Sequence, residues 1–258
     1  MLLALDIGNS TVAWGACHHR GILRHGRFRS DGERSHAGLA SSLTDSLREA
    51  GIAPDTITAS IISSVVPDLT PLISAVVEQV FQCPPILVTA DLDTGLSFAR
   101  YPNRREIGAD RIANTAAAYA RARTAIIVVD FGTATTLSVV DQTGEFLGGA
   151  IASGAALAAD ALHARTAQLP QVDVVRPKTV IGRDTVASIQ SGLVYGFAGL
   201  TEYLIKGMRV ELGQEAFVVA TGGLASLLAT DCPSIQEVRP LLTLEGLDYL
   251  YRRIHPLS

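Results

Sequence analysis

A chain of 258 residues, 48% hydrophobic and 18% charged, has ample material for one or two packed domains, which excludes a disordered chain. A formal net charge of −4, with no Lys/Arg cluster read as offsetting it, argues against broad binding to nucleic acid or an anionic membrane. Cys17, Cys83 and Cys232 are odd in number and in no CxxC pairing, so neither a disulfide framework nor a thiolate metal site is expected, and a reducing cytoplasm fits.

The apolar run Leu2–Leu5 reads as a buried strand. It is cut by Asp6 and lacks a basic flank, which is unlike a signal peptide, and no stretch approaches the length of a membrane span. Asp6-Ile7-Gly8-Asn9-Ser10-Thr11 follows. A glycine two residues after the Asp lets the chain reverse tightly and bares backbone N–H groups, which can cradle phosphate oxygens beside Ser and Thr hydroxyls. A carboxylate at the strand end can hold a cation that bridges those oxygens. Strands are expected next at Val12–Ala16 and Gly26–Ser30. Leu39, Leu43 and Leu47 mark a helix stopped by Gly51, and strand, helix and short strand follow at Ile57–Val66, Leu69–Gln82 and Ile86–Thr89.

The run Arg111–Tyr119 is helical, with Asp110 placed as its N-cap on spacing alone. The opening then repeats: the apolar run 125–129 leads into Asp130-Phe131-Gly132-Thr133-Ala134-Thr135-Thr136, 124 residues after the first copy. Strands at Thr135–Asp141 and Glu145–Ile151 flank a Thr143-Gly144 turn. Helices are expected at Ala155–Ala167 and Thr185–Glu211, then a strand at Ala216–Ala220, the turn Thr221-Gly222-Gly223 and a further helix. The pattern βββαβαβ, twice over, predicts an α/β protein of two duplicated domains with mixed sheets, residues 1–118 and 119–258, and a nucleotide cleft between them. The last helix, about 243–254, is allowed to pack back on the first domain.

Seven short segments occur in the order found in type III pantothenate kinases. They are Asp6-Ile7-Gly8-Asn9, Gly108-Ala109-Asp110-Arg111, Asp130–Thr136, Gly148-Gly149-Ala150-Ile151, Ile181-Gly182-Arg183-Asp184-Thr185, Gln190-Ser191-Gly192 and Ala220-Thr221-Gly222-Gly223-Leu224. The chain resembles that family over essentially its whole length. The resemblance implies duplicated ribonuclease H-like domains, as in the superfamily of acetate and sugar kinases, heat-shock ATPases and actin. It implies transfer of the γ-phosphoryl group of ATP to the primary hydroxyl of pantothenate, the first step toward coenzyme A.

On the resemblance, Asp110 is the catalytic base, and a carboxylate there can accept the hydroxyl proton. Asp6, Ile7, Gly8, Asn9, Ser10, Thr11, Gly132, Thr133, Gly222 and Gly223 bind ATP. Tyr101, Gly108, Ala109, Asp110, Arg111 and Thr185 contact pantothenate. Asp6 serves Mg²⁺ through water, and Asp130 ligates a monovalent cation, K⁺ or NH₄⁺. Taken singly, Arg111 reads as a surface residue, Tyr101 as packing and Thr185 as an ordinary residue at a helix start. Two departures stand out. Asn9-Ser10-Thr11 replaces the family's Asn-Thr-Asn, and Ser153-Gly154 replaces its Pro-Gly, which predicts a looser nucleotide loop.

The six His residues show no HxH or HExxH spacing, and neither a P-loop nor a protein-kinase motif is present. The rival readings are a kinase for another small hydroxylated substrate and a nucleotide-binding transcription accessory factor of the same fold; retention of Asp110 speaks against the latter. A homodimer is expected from the resemblance and from Gly192, Gly196 and Gly199 on one face of the long helix, where close approach of the chain's own sheet is the competing explanation.

Overall fold

The computed structural model describes residues 1–30 and 35–256. It divides into two compact units: Met1–Phe98 with Pro102–Ala120 and Leu242–Ser258, and Ala99–Tyr101 with Arg121–Leu241.

In the first unit β1 (Leu2–Ile7), β2 (Thr11–His18) and β3 (Gly21–Arg29) form an antiparallel meander. Helix α1 (His36–Glu49) leads to β4 (Ala59–Ser64), which pairs parallel to β1, and α2 (Thr70–Phe81) leads to β5 (Ile86–Leu87), giving the order β3-β2-β1-β4-β5. Strand alternation explains the core. Leu3, Leu5 and Ile7 of β1 and Val12, Trp14 and Ala16 of β2 pack with Leu39, Leu43 and Leu47 of α1 and with Ile73, Val76 and Val77 of α2. Trp14 is fully buried and donates from its indole nitrogen to Ser46 Oγ at 2.8 Å. Gly26 lies under it, where a Cβ would sit 2.6 Å from the ring. The helix stop is as expected: Gly51 takes φ +77, and the Ile52 N–H returns to the Leu47 carbonyl.

The even-numbered residues of β1, Asp6 among them, point to the opposite face. Helix α3 (Ala109–Ala122) runs from the Gly108-Ala109-Asp110-Arg111 segment.

The second unit repeats the plan. β6 (Ile126–Phe131), β7 (Ala134–Val140) and β8 (Phe146–Ser153) form a meander, and α4 (Ala155–Arg165) and α5 (Thr185–Leu212) precede β9 (Phe217–Thr221), parallel to β6. A short α6 (Ala225–Leu228) leads to β10 (Glu237–Val238), a two-residue strand that the sequence reading did not place. The order β10-β9-β6-β7-β8 matches the first sheet strand for strand. Finally α7 (Leu242–Ile254) returns to the first unit. Leu244 lies 3.5 Å from the Cβ position of Gly15 on β2, and Gly246 crosses α3 so closely that a Cβ would sit 2.2 Å from the Ala113 carbonyl oxygen.

Two expectations are corrected. A Cβ at Gly192, Gly196 or Gly199 of α5 would meet nothing within 4 Å, so the chain's own sheet does not account for these glycines. And β3 concentrates Arg24, Arg27 and Arg29 on an exposed edge, a local positive charge hidden by the whole-chain balance. Among the described residues no helix is long and apolar enough to cross a membrane.

Candidate active site

The first site lies at the C-terminal end of β1. Gly8–Ser10 form the β1–β2 hairpin, closed by a hydrogen bond from Gly8 N–H to the Thr11 carbonyl at 2.9 Å, with Asn9, Ser10 and Thr11 exposed. Ile7 points into the core and can serve the turn only through its backbone. Asp6 is half-buried, and loss of hydration pushes its carboxyl up to about 7; the Asp110 charge adds to this. Ser63, directly opposite Asp6 on β4, opposes the shift, but its fully buried hydroxyl does not reach full hydrogen-bond geometry. Sequence reasoning missed Ser63; the small polar pair Ser63-Ser64 at a strand end was the available signal.

Asp110 comes to this site from α3. The helix starts at Ala109, with Ile112 N–H bonded to the Gly108 carbonyl at 3.1 Å, so Asp110 stands inside the first turn instead of capping it. Its Oδ1 accepts from Arg111 N–H at 2.7 Å and folds back over Gly108, where an added Cβ would sit 2.5 Å from that oxygen. Gly108 therefore leaves the space that the carboxylate fills. Burial raises the Asp110 pKa, while the Arg111 amide and charge pull it down. Arg111 is buried, not on the surface, and Ala109 is buried beside it. A desolvated carboxylate next to a second one is a strengthened base, an arrangement typical of acid–base sites.

The second unit gathers its own turn. Asp130 sits near the end of β6, and Gly132 N–H bonds to the Ala134 carbonyl at 3.1 Å. Gly222, at φ +94, abuts it: a Cβ there would lie 2.4 Å from Asp130 Oδ1 and 2.7 Å from the Phe131 carbonyl oxygen. Gly223 is exposed, with open space at its Cβ position, and Thr133 is exposed beside the turn. Gly154 was not anticipated as part of this group. Its N–H donates to the Thr133 carbonyl at 3.0 Å, and a Cβ would strike that oxygen at 2.3 Å, so the loop after β8 is tied down through its glycine although Ser153 replaces Pro.

Tyr101 packs edge-on against Phe146 with ring centroids 5.5 Å apart, and Arg100 N–H donates to buried Glu145 at 2.6 Å. Thr185 is the first residue of α5, capped by Asp184, whose Oδ1 accepts from Ala187 N–H at 2.8 Å. It borders an open surface groove of about 600 Å³ shared with Leu162, Leu169, Gly182, Arg183 and Ile189.

No three His, Cys, Asp or Glu side chains converge as a ready metal cage among the described residues. The Asp6 carboxylate suits Mg²⁺, which keeps much of its water and takes one or two carboxylates plus phosphate oxygens. The notch that a Gly222 side chain would fill, lined by the Asp130 carboxylate and the Phe131 carbonyl, offers the hard oxygens a monovalent cation prefers.

Paired meander-and-crossover units with Asp-led turns make a duplicated α/β fold that is also found in a solved sugar kinase. A ROK hexokinase from Thermus thermophilus superposes with a TM-score of 0.53 at 16% identity, covering 98% of this chain and 99% of the other. The family model of type III pantothenate kinases matches residues 2–207, and the chain belongs to that family. The type III pantothenate kinase of Pelobacter propionicus is 42% identical over 253 residues, and that of an Anaeromyxobacter species 44% over 253, each alignment covering 98% of this chain and 99% of the relative.

Proposed function

We propose that this chain phosphorylates pantothenate with ATP, the entry step of coenzyme A biosynthesis. The observation that carries the reading is Asp110: a half-buried carboxylate with a raised pKa, held over Gly108 beside Asp6, inside a chain of the pantothenate kinase family. The pantothenate hydroxyl oxygen forms its bond to the γ-phosphorus as the bond from that phosphorus to the ADP oxygen breaks, and Asp110 takes the hydroxyl proton. The Gly8–Thr11 hairpin donates N–H and hydroxyl groups to phosphate oxygens. Asp6 would hold Mg²⁺ through water and Asp130 would hold K⁺ or NH₄⁺; both cations supply fixed positive charge for phosphate oxygens. Gly132, Thr133, Gly222 and Gly223 form the nucleotide-binding turn of the second unit. Tyr101, Gly108, Ala109, Arg111 and Thr185 are assigned to pantothenate.

The working form is a cytoplasmic homodimer. Its support is α5, where the open Gly192, Gly196 and Gly199 positions lie on one face with Tyr203 and Val210, 78% and 81% exposed. The experiment is a coupled ADP-release assay with and without pantothenate, in K⁺ and in Na⁺ buffers. Pantothenate-dependent release that requires K⁺ or NH₄⁺ is expected. Equal release without pantothenate refutes the substrate, and full turnover in Na⁺ alone refutes the role of Asp130.

A further inference from the structure

Phosphoryl transfer depends on neutralising the charge of the phosphate chain, yet none of the turn residues assigned above to ATP is a cation. Asp6-Ile7-Gly8-Asn9-Ser10-Thr11, Gly132-Thr133 and Gly222-Gly223 contain no Lys or Arg. The register of the first sheet supplies one. Asp6 stands opposite Ser63 on one side and Ala13 on the other, and Ala13 stands opposite Arg27 of β3. Residues paired across strands share a face, so Ser63, Asp6, Ala13 and Arg27 form a single row. At a strand spacing of about 4.8 Å, the Arg27 backbone is roughly 10 Å from that of Asp6. In that row the residue between them is Ala13, whose side chain is a single methyl group.

The end of β3 is tied to the phosphate hairpin, Ser30 N–H donating to the Ser10 carbonyl at 3.1 Å. Arg27 is exposed, and among the described residues its side chain has no ion-pair or hydrogen-bond partner. Arg29, on the same face opposite Thr11, is already engaged, and Arg24, opposite the core residue Ala16, belongs to the other face. Between Ile7 and Ser30 the chain has no acidic residue.

We propose that Arg27 is a phosphate-binding residue of this kinase, its guanidinium taking phosphate oxygens of the nucleotide held at the Asp6 hairpin. The inference rests on the reading of that hairpin as the phosphate site. A guanidinium presents a planar fork of donors that matches phosphate oxygens and stays charged at any working pH. Charge on an edge strand also discourages sheet-to-sheet association, but that purpose is served equally from either face of β3, which makes Arg24 the natural control.

The test is calorimetric binding of a non-hydrolysable ATP analogue with Mg²⁺, and of adenosine, to the full chain and its variants. Arg27→Gln is expected to weaken the analogue by about 10- to 100-fold, the usual worth of hydrogen bonds to a charged partner. Adenosine binding should be unchanged, Arg27→Lys should recover part of the loss, and Arg24→Gln should match wild type. In turnover, KM for ATP should rise while KM for pantothenate stays. Analogue affinity within twofold of wild type in Arg27→Gln overturns the proposal, as does an equal loss for adenosine. Because affinity is read without pantothenate, a wild-type chain that binds the analogue but does not phosphorylate pantothenate counts against the enzymatic reading alone; one that fails to bind the analogue overturns both.

Discussion

Asp6→Asn should make the protein more stable and less able to bind MgATP. Burial and the neighbouring Asp110 charge move the Asp6 carboxyl from 3.8 to about 7, so the folded state holds this proton more tightly than the unfolded chain does. Asp6 is therefore tolerated best below pH 3.8, and the stability is lost as pH rises through about 7. At about 1.36 kcal/mol per pH unit, the interval amounts to about 4 kcal/mol. Asp6 keeps some solvent contact, and an amide must find its own partners, so about 2 kcal/mol should be realised at pH 8, or about 4–8 °C in melting temperature for a chain of this size. Thermal unfolding of both proteins without nucleotide, from pH 4 to pH 8, measures it. The gain should be full above pH 7 and shrink toward pH 4. A variant no more stable than wild type at pH 8 would refute the assignment of a desolvated carboxylate. The same variant should lose Mg²⁺-dependent nucleotide affinity, and in the wild type MgATP binding near pH 6.5 should release a proton, visible as a buffer-dependent heat.

Asp110→Asn should fold normally and lose about 10²- to 10⁴-fold in turnover with ATP affinity retained; comparable turnover would reduce Asp110 to a helix-turn residue. Gly222→Ala puts a Cβ 2.4 Å from Asp130 Oδ1 at a positive φ, and should cost about 1–3 kcal/mol of stability together with monovalent-cation activation; a stable variant with unaltered K⁺ dependence would contradict the Asp130 notch. Gly196→Leu fills open space on α5, so the monomer should fold while light scattering shows a weakened dimer and substrate affinity falls on dilution. A fully active wild-type sample with the mass of one chain, 27.2 kDa, would remove the dimer from the account.

What could be read from the sequence follows from how local the deciding physics is. The buried apolar run of β1, the Leu39-Leu43-Leu47 stripe and the Asp-x-Gly turns are set by neighbours within a few residues, and each stands where expected. Spacing alone could not place Asp110, because an Asp before a helical run fits the N-cap and the first turn alike. What separates them is the Gly108 carbonyl accepting from Ile112 and the carboxylate folding back over Gly108. Gly154 and Gly222 look like ordinary turn glycines in sequence; their reason is a carbonyl and a carboxylate brought from positions 133 and 130. The places of Ser63 and Arg27 beside Asp6 depend on something less local. Periodicity tells which face of a strand a side chain takes, but only the parallel β1–β4 register and the antiparallel β2–β3 register decide what stands beside Asp6 in its row. A charge balance summed over the chain erases that row, because the arginines of β3 are outweighed by acidic groups spread over the rest of the protein, and the field at a phosphate is set by the nearest few charges and not by their sum.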